Sequence, residues 1–204
     1  GREIGEIQLA IPGRHNAENA LAAVAVASEL DVSFDAIQQG LHEFAGIGRR
    51  FEHVGEAGGV IFMDDYGHHP QEVRVTLRAI REAWPNRRIV VIFQPHRYSR
   101  TEQLGELFHT AFYDSDALFL APIYAAGEEA IEGVDSRNIA GGVRAHGHKF
   151  CEEVSDFVDG VRRLRSVIKP GDLVITLGAG DIWKVGHELF DLLEGSVNRA
   201  EDAG

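Results

Sequence analysis

A chain of 204 residues with 44% hydrophobic and 25% charged side chains has the balance of a globular protein with one good-sized core. No apolar run approaches the roughly 20 residues of a membrane span, no basic-then-apolar leader opens the chain, and its one cysteine, Cys151, cannot form an internal disulfide, so a cytoplasmic protein is expected. The net charge of −12 argues against non-specific nucleic-acid binding, which needs a basic footprint.

Residues 3–11 alternate weakly and predict a strand, which Gly13 breaks. The Ala-, Val- and Leu-rich stretch 16–30 predicts a buried helix with Asn16 as its N-cap. Ser33 or Asp35 opens a second helix, with Ala36, Ile37, Leu41 and Phe44 at helical spacing and Gly46 and Gly48 ending it. These elements lack a sheet of their own, so residues 1–48 are expected to be the C-terminal part of a larger domain. Strands are predicted near 51–55, 60–64, 88–93, 117–121, 148–151 and 172–177, with Gly58-Gly59 turning an opening hairpin. Helices are predicted near 71–84, 101–113, 135–146, 154–168 and 181–194. The alternation gives an α/β domain over 49–194: a Rossmann-like, mostly parallel sheet with helices on both faces. Residues 195–204 are expected to be a disordered polar tail.

Charge is unevenly spread. Residues 49–100 hold nine arginines against six acids, a local balance of +3 that leaves −15 for the remainder. Arg74, Arg78 and Arg81 fall on one solvated helix face. Arg49, Arg50, Arg97 and Arg100 lie off that face and suggest an anionic small ligand.

Two runs carry the chemistry. Asp64-Asp65-Tyr66-Gly67-His68-His69-Pro70 follows the apolar segment 60–63, and Gln94-Pro95-His96-Arg97-Tyr98-Ser99-Arg100-Thr101 follows the apolar segment 89–93. A strand–helix–strand crossover is right-handed and its strands are parallel, so both loops leave the same sheet edge, where open α/β sheets bind ligands. Pro70 suits the first position of a helix and His69 its cap, with Tyr66 to His68 arching over an N-terminus that favours an anion. Asp65 has two readings, a turn carboxylate or a ligand contact. His68 and His69 invite a metal reading, but adjacent loop residues rarely converge on one ion and no second ligand cluster follows, so no metal site is expected.

Arg97 and Arg100 are three apart and share a side if the helix begins near Ser99. With His96 they form a fitting clamp for a carboxylate, the alternative being two surface salt bridges. Thr101 and Glu102 are read as cap and start of that helix. Cys151 reads as a buried, inert thiol. Gly178-Ala179-Gly180-Asp181 has half of a dinucleotide fingerprint and reads as a tight strand-to-helix turn at the crevice rim. Tyr124-Ala125-Ala126-Gly127-Glu128 is another rim loop with no residue assigned a role.

The two His-containing runs resemble C-terminal-domain signatures of the Mur ligases, specifically of the members that join L-alanine to UDP-N-acetylmuramate. Gly13-Arg14-His15-Asn16-Ala17-Glu18-Asn19-Ala20-Leu21-Ala22-Ala23 resembles the GxHNxxNxxAA stretch near the end of that family's central ATP-binding domain. Gly48-Arg49-Arg50-Phe51-Glu52 resembles the linker into the C-terminal domain, and the match covers about residues 11–193. The resemblance implies that Asn19 reads the adenine, Arg50 approaches the phosphates of ATP and Asp65 contacts its ribose. It implies that Tyr66 and His68 face the incoming amino acid or its product, and that His96, Arg97 and Arg100 hold the α-carboxylate, contributing positioning and charge stabilisation. His15 and Asn16 would shape the site. For Arg49, positioning of the linker and ligand contact stand equal.

The reaction implied runs in two steps: ATP phosphorylates the lactyl carboxylate of UDP-N-acetylmuramate, and the L-alanine amine displaces phosphate from the acyl phosphate. No G-x-x-x-x-G-K-[ST] loop is present, the only lysines being Lys149, Lys169 and Lys184. That loop, the Mg2+ ligands and a UDP-binding domain are expected upstream, and the chain is expected to be a C-terminal portion, inert alone. Two alternatives stay open: the related ligase that recycles a preformed tripeptide onto the same nucleotide sugar, and a non-catalytic anion-binding module.

Overall fold

A computed structural model describes residues 4–10, 13–44 and 46–201, with only the backbone described from 197 onward. Helices α1 (Arg14–Glu29) and α2 (Phe34–Glu43) come first, followed by strands β1 (Glu52–Ala57) and β2 (Val60–Asp65). Then α3 (Pro70–Ala83), β3 (Arg88–Phe93), α4 (Tyr98–Phe108), β4 (Ala117–Leu120), α5 (Ser136–Ala145), β5 (Cys151–Glu153), α6 (Phe157–Val167), β6 (Asp172–Leu177) and α7 (Trp183–Glu201) alternate. The described strands form one six-stranded sheet in the order β1-β2-β6-β3-β4-β5. Only the β1–β2 hairpin is antiparallel, so the sheet is mostly parallel, as the alternation predicts.

Each central strand is buried on both faces, and its side chains sort by the two-residue period of the pleat. Ile61, Met63, Val91, Phe93, Ile175 and Leu177 point to one side, against Val73, Leu77 and Ile80 of α3, Phe108 of α4 and Ile139 of α5. Phe62, Val90, Ile92 and Val174 point to the other, against Val161 and Leu164 of α6 and Val185 and Leu189 of α7. The strand β6 therefore sends its following helix to the opposite face from α3 and α4, which follow its two neighbours. That reversal is where an open α/β sheet leaves a crevice.

The structure departs from the sequence reading in several places. The loops after β2 and β3 do leave the same edge, yet the strands are not neighbours, because β6 lies between them and pairs with both. No strand forms over residues 4–10; no described strand lies beside them, and a strand needs a pairing neighbour. Glu3 and Ile11 lie outside the described residues. The first helix starts at Arg14 after Gly13, rather than after Asn16, and only Val24 on it is buried, with Leu21 and Val26 well exposed. Among the described residues its main packing partner is α2, too little to bury the Ala-, Val- and Leu-rich stretch 20–27. The expected strand at 148–151 forms instead at Cys151–Glu153, following a turn at Gly147 and His148. The last helix continues to Glu201 rather than stopping near 194, since a single Gly195 is not enough to end it. The remaining residues, 202–204, lie outside the described ones.

Candidate functional site

The strand β2 delivers two buried carboxylates: Asp64 accepts from Arg49 and Thr176, and Asp65 holds the following loop. Asp65 accepts the Gly67 N–H (2.7 Å) on one oxygen and the Phe51 N–H (2.8 Å) on the other. A side chain at residue 67 would place its Cβ 2.6 Å from the Asp65 Oδ1, so the turn requires glycine. Burial raises the pKa of the Asp65 carboxyl above its ordinary value, opposed by those two N–H groups. The turn-carboxylate reading of Asp65 is thus part of the fold; its Oδ1 also accepts the Thr76 hydroxyl (3.4 Å), so only Oδ2 keeps a further lone pair.

His69 caps α3 and Pro70 is its first residue. The Gln71 N–H donates to His69 Nδ1 (3.3 Å), and the Glu72 carboxylate accepts the N–H groups of His69 (3.0 Å) and His68 (2.9 Å). Burial would raise the Glu72 carboxyl, but the two N–H groups, together with the neighbouring His68 and Arg50, hold it below its ordinary value. His68 Nδ1 lies 3.0 Å from the Tyr66 carbonyl, which can only accept, so in the neutral ring that nitrogen carries the proton and Nε2 the lone pair.

The second loop meets the first through aromatic rings. Tyr66 packs edge-on to His68 (5.5 Å between centroids), His68 lies 5.4 Å from His96, and His96 stacks on Tyr124 at 5.4 Å. Arg100, in the first turn of α4, folds back so that its guanidinium donates to the His96 carbonyl and lies 3.2 Å from the His96 Nδ1. Arg97 sits at the N-cap of α4 with φ at +73°, and its guanidinium reaches Glu128 (3.4 Å). The two arginines flank His96 but take different partners. The helix begins at Tyr98, so Thr101 is not its cap. The Thr101 hydroxyl lies inside the helix and donates to the Arg97 carbonyl (2.9 Å).

Burial first, and then the neighbouring His68, Arg100 and Arg97, hold the His96 imidazole below its usual value of 6.5. Above that value the imidazole is neutral in both folded and unfolded chain. As pH falls through it the unfolded chain takes up the proton first, so stability declines. Thermal melts at pH 7.5 and 5.5 are expected to show a lower Tm at the acid pH, and His96→Gln is expected to shrink that difference. An equal difference in the variant would remove His96 as a source.

The linker joins these loops to a third. Arg49 donates from Nε to the buried Asp64 (2.9 Å), from Nη1 to the Gly180 carbonyl (2.9 Å) and from Nη2 to the Gly178 carbonyl (2.7 Å). Its guanidinium also lies 5.2 Å from the Tyr66 ring centroid. Of its two sequence readings, the structure selects positioning. Arg50, by contrast, lies over the same ring at 5.1 Å and lines a cavity of about 500 Å³ between α1, α2, the linker and α3. Asn19 and Asp65 line that cavity too, as do His15 and Asn16.

The three side chains expected to contact a nucleotide therefore share one hollow, although they come from α1, the linker and β2. Its size is that of a small-ligand pocket. It offers an amide that donates and accepts, a guanidinium for phosphate and a carboxylate with a spare lone pair, a set that fits a nucleoside phosphate. Among the described residues no group of three or more His, Cys, Asp or Glu could hold a metal ion. Cys151 is buried, its thiol pushed up to about 11 by burial, and stands apart from the crevice chemistry. Sequence reasoning placed Tyr124 and Glu128 in a rim loop but gave them no role, because their partners lie some thirty residues away in the chain.

Residues 49–180 match the family model described as "Mur ligase, glutamate ligase domain". A UDP-N-acetylmuramate–L-alanine ligase of Desulfosudis oleivorans is 51% identical over 188 residues, which are 92% of this chain and 41% of that protein. One from Trichlorobacter lovleyi is 52% identical over 193 residues, 95% of this chain and 42% of that protein. The crystal structure of UDP-N-acetylmuramate–alanine ligase from Thermotoga maritima superimposes with a TM-score of 0.75 at 28% identity, over 100% of this chain and 42% of that one. The chain thus spans about two-fifths of the length of the relatives it matches.

Proposed function

This chain belongs to the Mur ligase family, matching the C-terminal portion of its alanine-adding members, and we propose that it supplies the amino-acid subsite and part of the nucleotide subsite of a cytoplasmic ligase. The ligase would join L-alanine to UDP-N-acetylmuramate at the expense of ATP, a step of peptidoglycan precursor synthesis. A carboxylate is a poor electrophile, and phosphorylation converts the lactyl group to one with a good leaving group. The residues of this chain then act by position and charge. Asn19, Arg50 and Asp65 would hold adenine, phosphate and ribose. Tyr66, His68, His96, Arg97 and Arg100 would seat the amino acid, with a guanidinium paired to its carboxylate. His68 Nε2, with its lone pair, is suited to accept a hydrogen bond from the ammonium. Magnesium would be held by residues outside this set, and the linker at Arg49 and Arg50 is where closure over the nucleotide would bend.

The observation that carries the reading is the continuity of the two subsites: Arg50 lines the cavity shared with Asn19 and Asp65 and also covers Tyr66, the first ring of the series leading to His96. The test is phosphate release from ATP by the full-length protein that carries this chain. Release should require both UDP-N-acetylmuramate and L-alanine, and Asp65→Asn should weaken ATP affinity about tenfold, or about 1.4 kcal/mol. Release driven by a preformed tripeptide in place of alanine would move the assignment to the recycling ligase, and release driven by neither would leave an anion-binding module. Unchanged ATP affinity in Asp65→Asn would remove its ribose role.

A further inference from the structure

The helix α4 begins without a cap of its own. Its N-cap residue, Arg97, makes no side-chain capping bond, and no acidic residue stands in its first turn. Two of the three side chains proposed to receive a carboxylate flank that start, so its geometry decides where they point. An L-residue at φ +73° is uncommon and is kept only when surrounding bonds over-determine it.

Those bonds come from the loop between β4 and α5. The Arg97 N–H donates to the Tyr124 carbonyl (2.8 Å), and the Tyr124 N–H donates to the Pro95 carbonyl (2.8 Å), which makes His96 and Tyr124 a short parallel bridge. Beyond it, Ala126 and Gly127 take φ of +52° and +84°, and the Glu128 N–H closes the turn on the Ala125 carbonyl (3.0 Å). Two successive left-handed residues make a sharp reversal, at some cost for an alanine. The reversal places Glu128 against the start of α4. Its carboxylate accepts the Ser99 N–H (3.0 Å) and the Ser99 hydroxyl (2.7 Å), and meets the Arg97 guanidinium (3.4 Å).

We infer that Glu128 is the positioning residue of the amino-acid subsite: it caps α4 from outside the helix and fixes Arg97 in its left-handed backbone, so that His96, Arg97 and Arg100 present one carboxylate-binding edge. Glu128 touches no substrate in this assignment; it acts through Ser99 and Arg97. The inference rests on the reading of that edge as an amino-acid site, and it assigns the site's shape to the β4–α5 loop, a segment remote in sequence from both His-containing runs. A carboxylate at a helix start also complements the helix dipole. Its loss is therefore expected to loosen the start of α4 and leave the nucleotide cavity untouched, since Glu128 does not line that cavity.

The experiment compares Glu128→Ala and Glu128→Gln with the unaltered full-length protein. Glu128→Ala is expected to raise KM for the amino acid at least tenfold while KM for ATP stays within twofold. Glu128→Gln keeps an acceptor for Ser99 but loses the charge facing Arg97, and should fall between. Amide hydrogen exchange on this chain reads the cap directly: exchange of the Ser99 amide should speed up by tenfold or more in Glu128→Ala, with amides of β3 unchanged. An unchanged amino-acid KM, or an unchanged Ser99 exchange rate, overturns the inference. So does an equal rise in both KM values, which would mean a disturbance that is not confined to the amino-acid subsite. If the unaltered protein shows no amino-acid-dependent turnover, the proposed function fails by itself, and the exchange measurement still decides whether Glu128 caps α4.

Discussion

Arg49→Ala is expected to destabilise this chain by about 3 kcal/mol, the low end of the cost of stripping one partner from a buried ion pair. Asp64 is fully buried, its side chain 1% exposed, and Arg49 is its cationic partner. Without the guanidinium, a carboxylate is left among apolar strands with only the Thr176 hydroxyl to bond it. Two carbonyls, of Gly178 and Gly180, lose their donors at the same time. For a domain of this size the loss corresponds to a fall in Tm of about 10 °C. Arg49→Lys should recover little, because one ammonium cannot reach three acceptors that a planar fork reaches at once. Chemical unfolding of the two variants is the measurement, and a loss below about 1 kcal/mol in Arg49→Ala would show that the guanidinium behaves as a surface group. The double change Arg49→Leu, Asp64→Asn separates charge burial from loop anchoring. If the unpaired charge dominates, the double variant recovers most of the stability.

What the sequence made legible, and what it hid, divides by the range of the interactions concerned. The His69–Pro70 start of α3 was readable because cap, proline and Glu72 all lie within one turn. The central strands were readable because burial on both faces makes continuous apolar runs, as at 60–63 and 89–93. The position of β6 was not, since strand order is set by helix packing across the sheet and leaves no mark on any one strand. The start of α4 was misplaced for the same reason: Ser99 and Thr101 are local cap formers, and the carboxylate that does the capping arrives from residue 128. Arg49 was left with two readings because its acceptors lie at 64, 178 and 180. The candidate site followed this pattern. Its side chains were named from the two runs, while the residues that aim them were seen only after folding.

Among those side chains, Arg100 is expected to give the largest change in substrate affinity. It lies half-buried in the first turn of α4, held by the His96 carbonyl and facing the ring nitrogen, so one edge of its fork is fixed before any ligand arrives. Preorganisation of this kind lowers the ordering cost of binding. Arg100→Ala should raise KM for the amino acid by about 100-fold, or about 2.7 kcal/mol, within the range for truncating one partner of a buried charge pair. KM for ATP should change less than twofold, because Arg100 does not line the cavity shared by Asn19, Arg50 and Asp65. Arg100→Lys should recover part of the loss, since charge returns without the bidentate geometry. A second readout comes from His96, whose imidazole is held down first by burial and then by its neighbours His68, Arg100 and Arg97. With Arg100 gone that imidazole becomes easier to protonate, so the acid limb of the amino-acid-dependent rate should move to higher pH in Arg100→Ala and stay in place in Arg100→Lys. Equal rises in KM for the amino acid and for ATP, or an acid limb that does not move, would show that Arg100 serves the fold of α4 rather than the carboxylate.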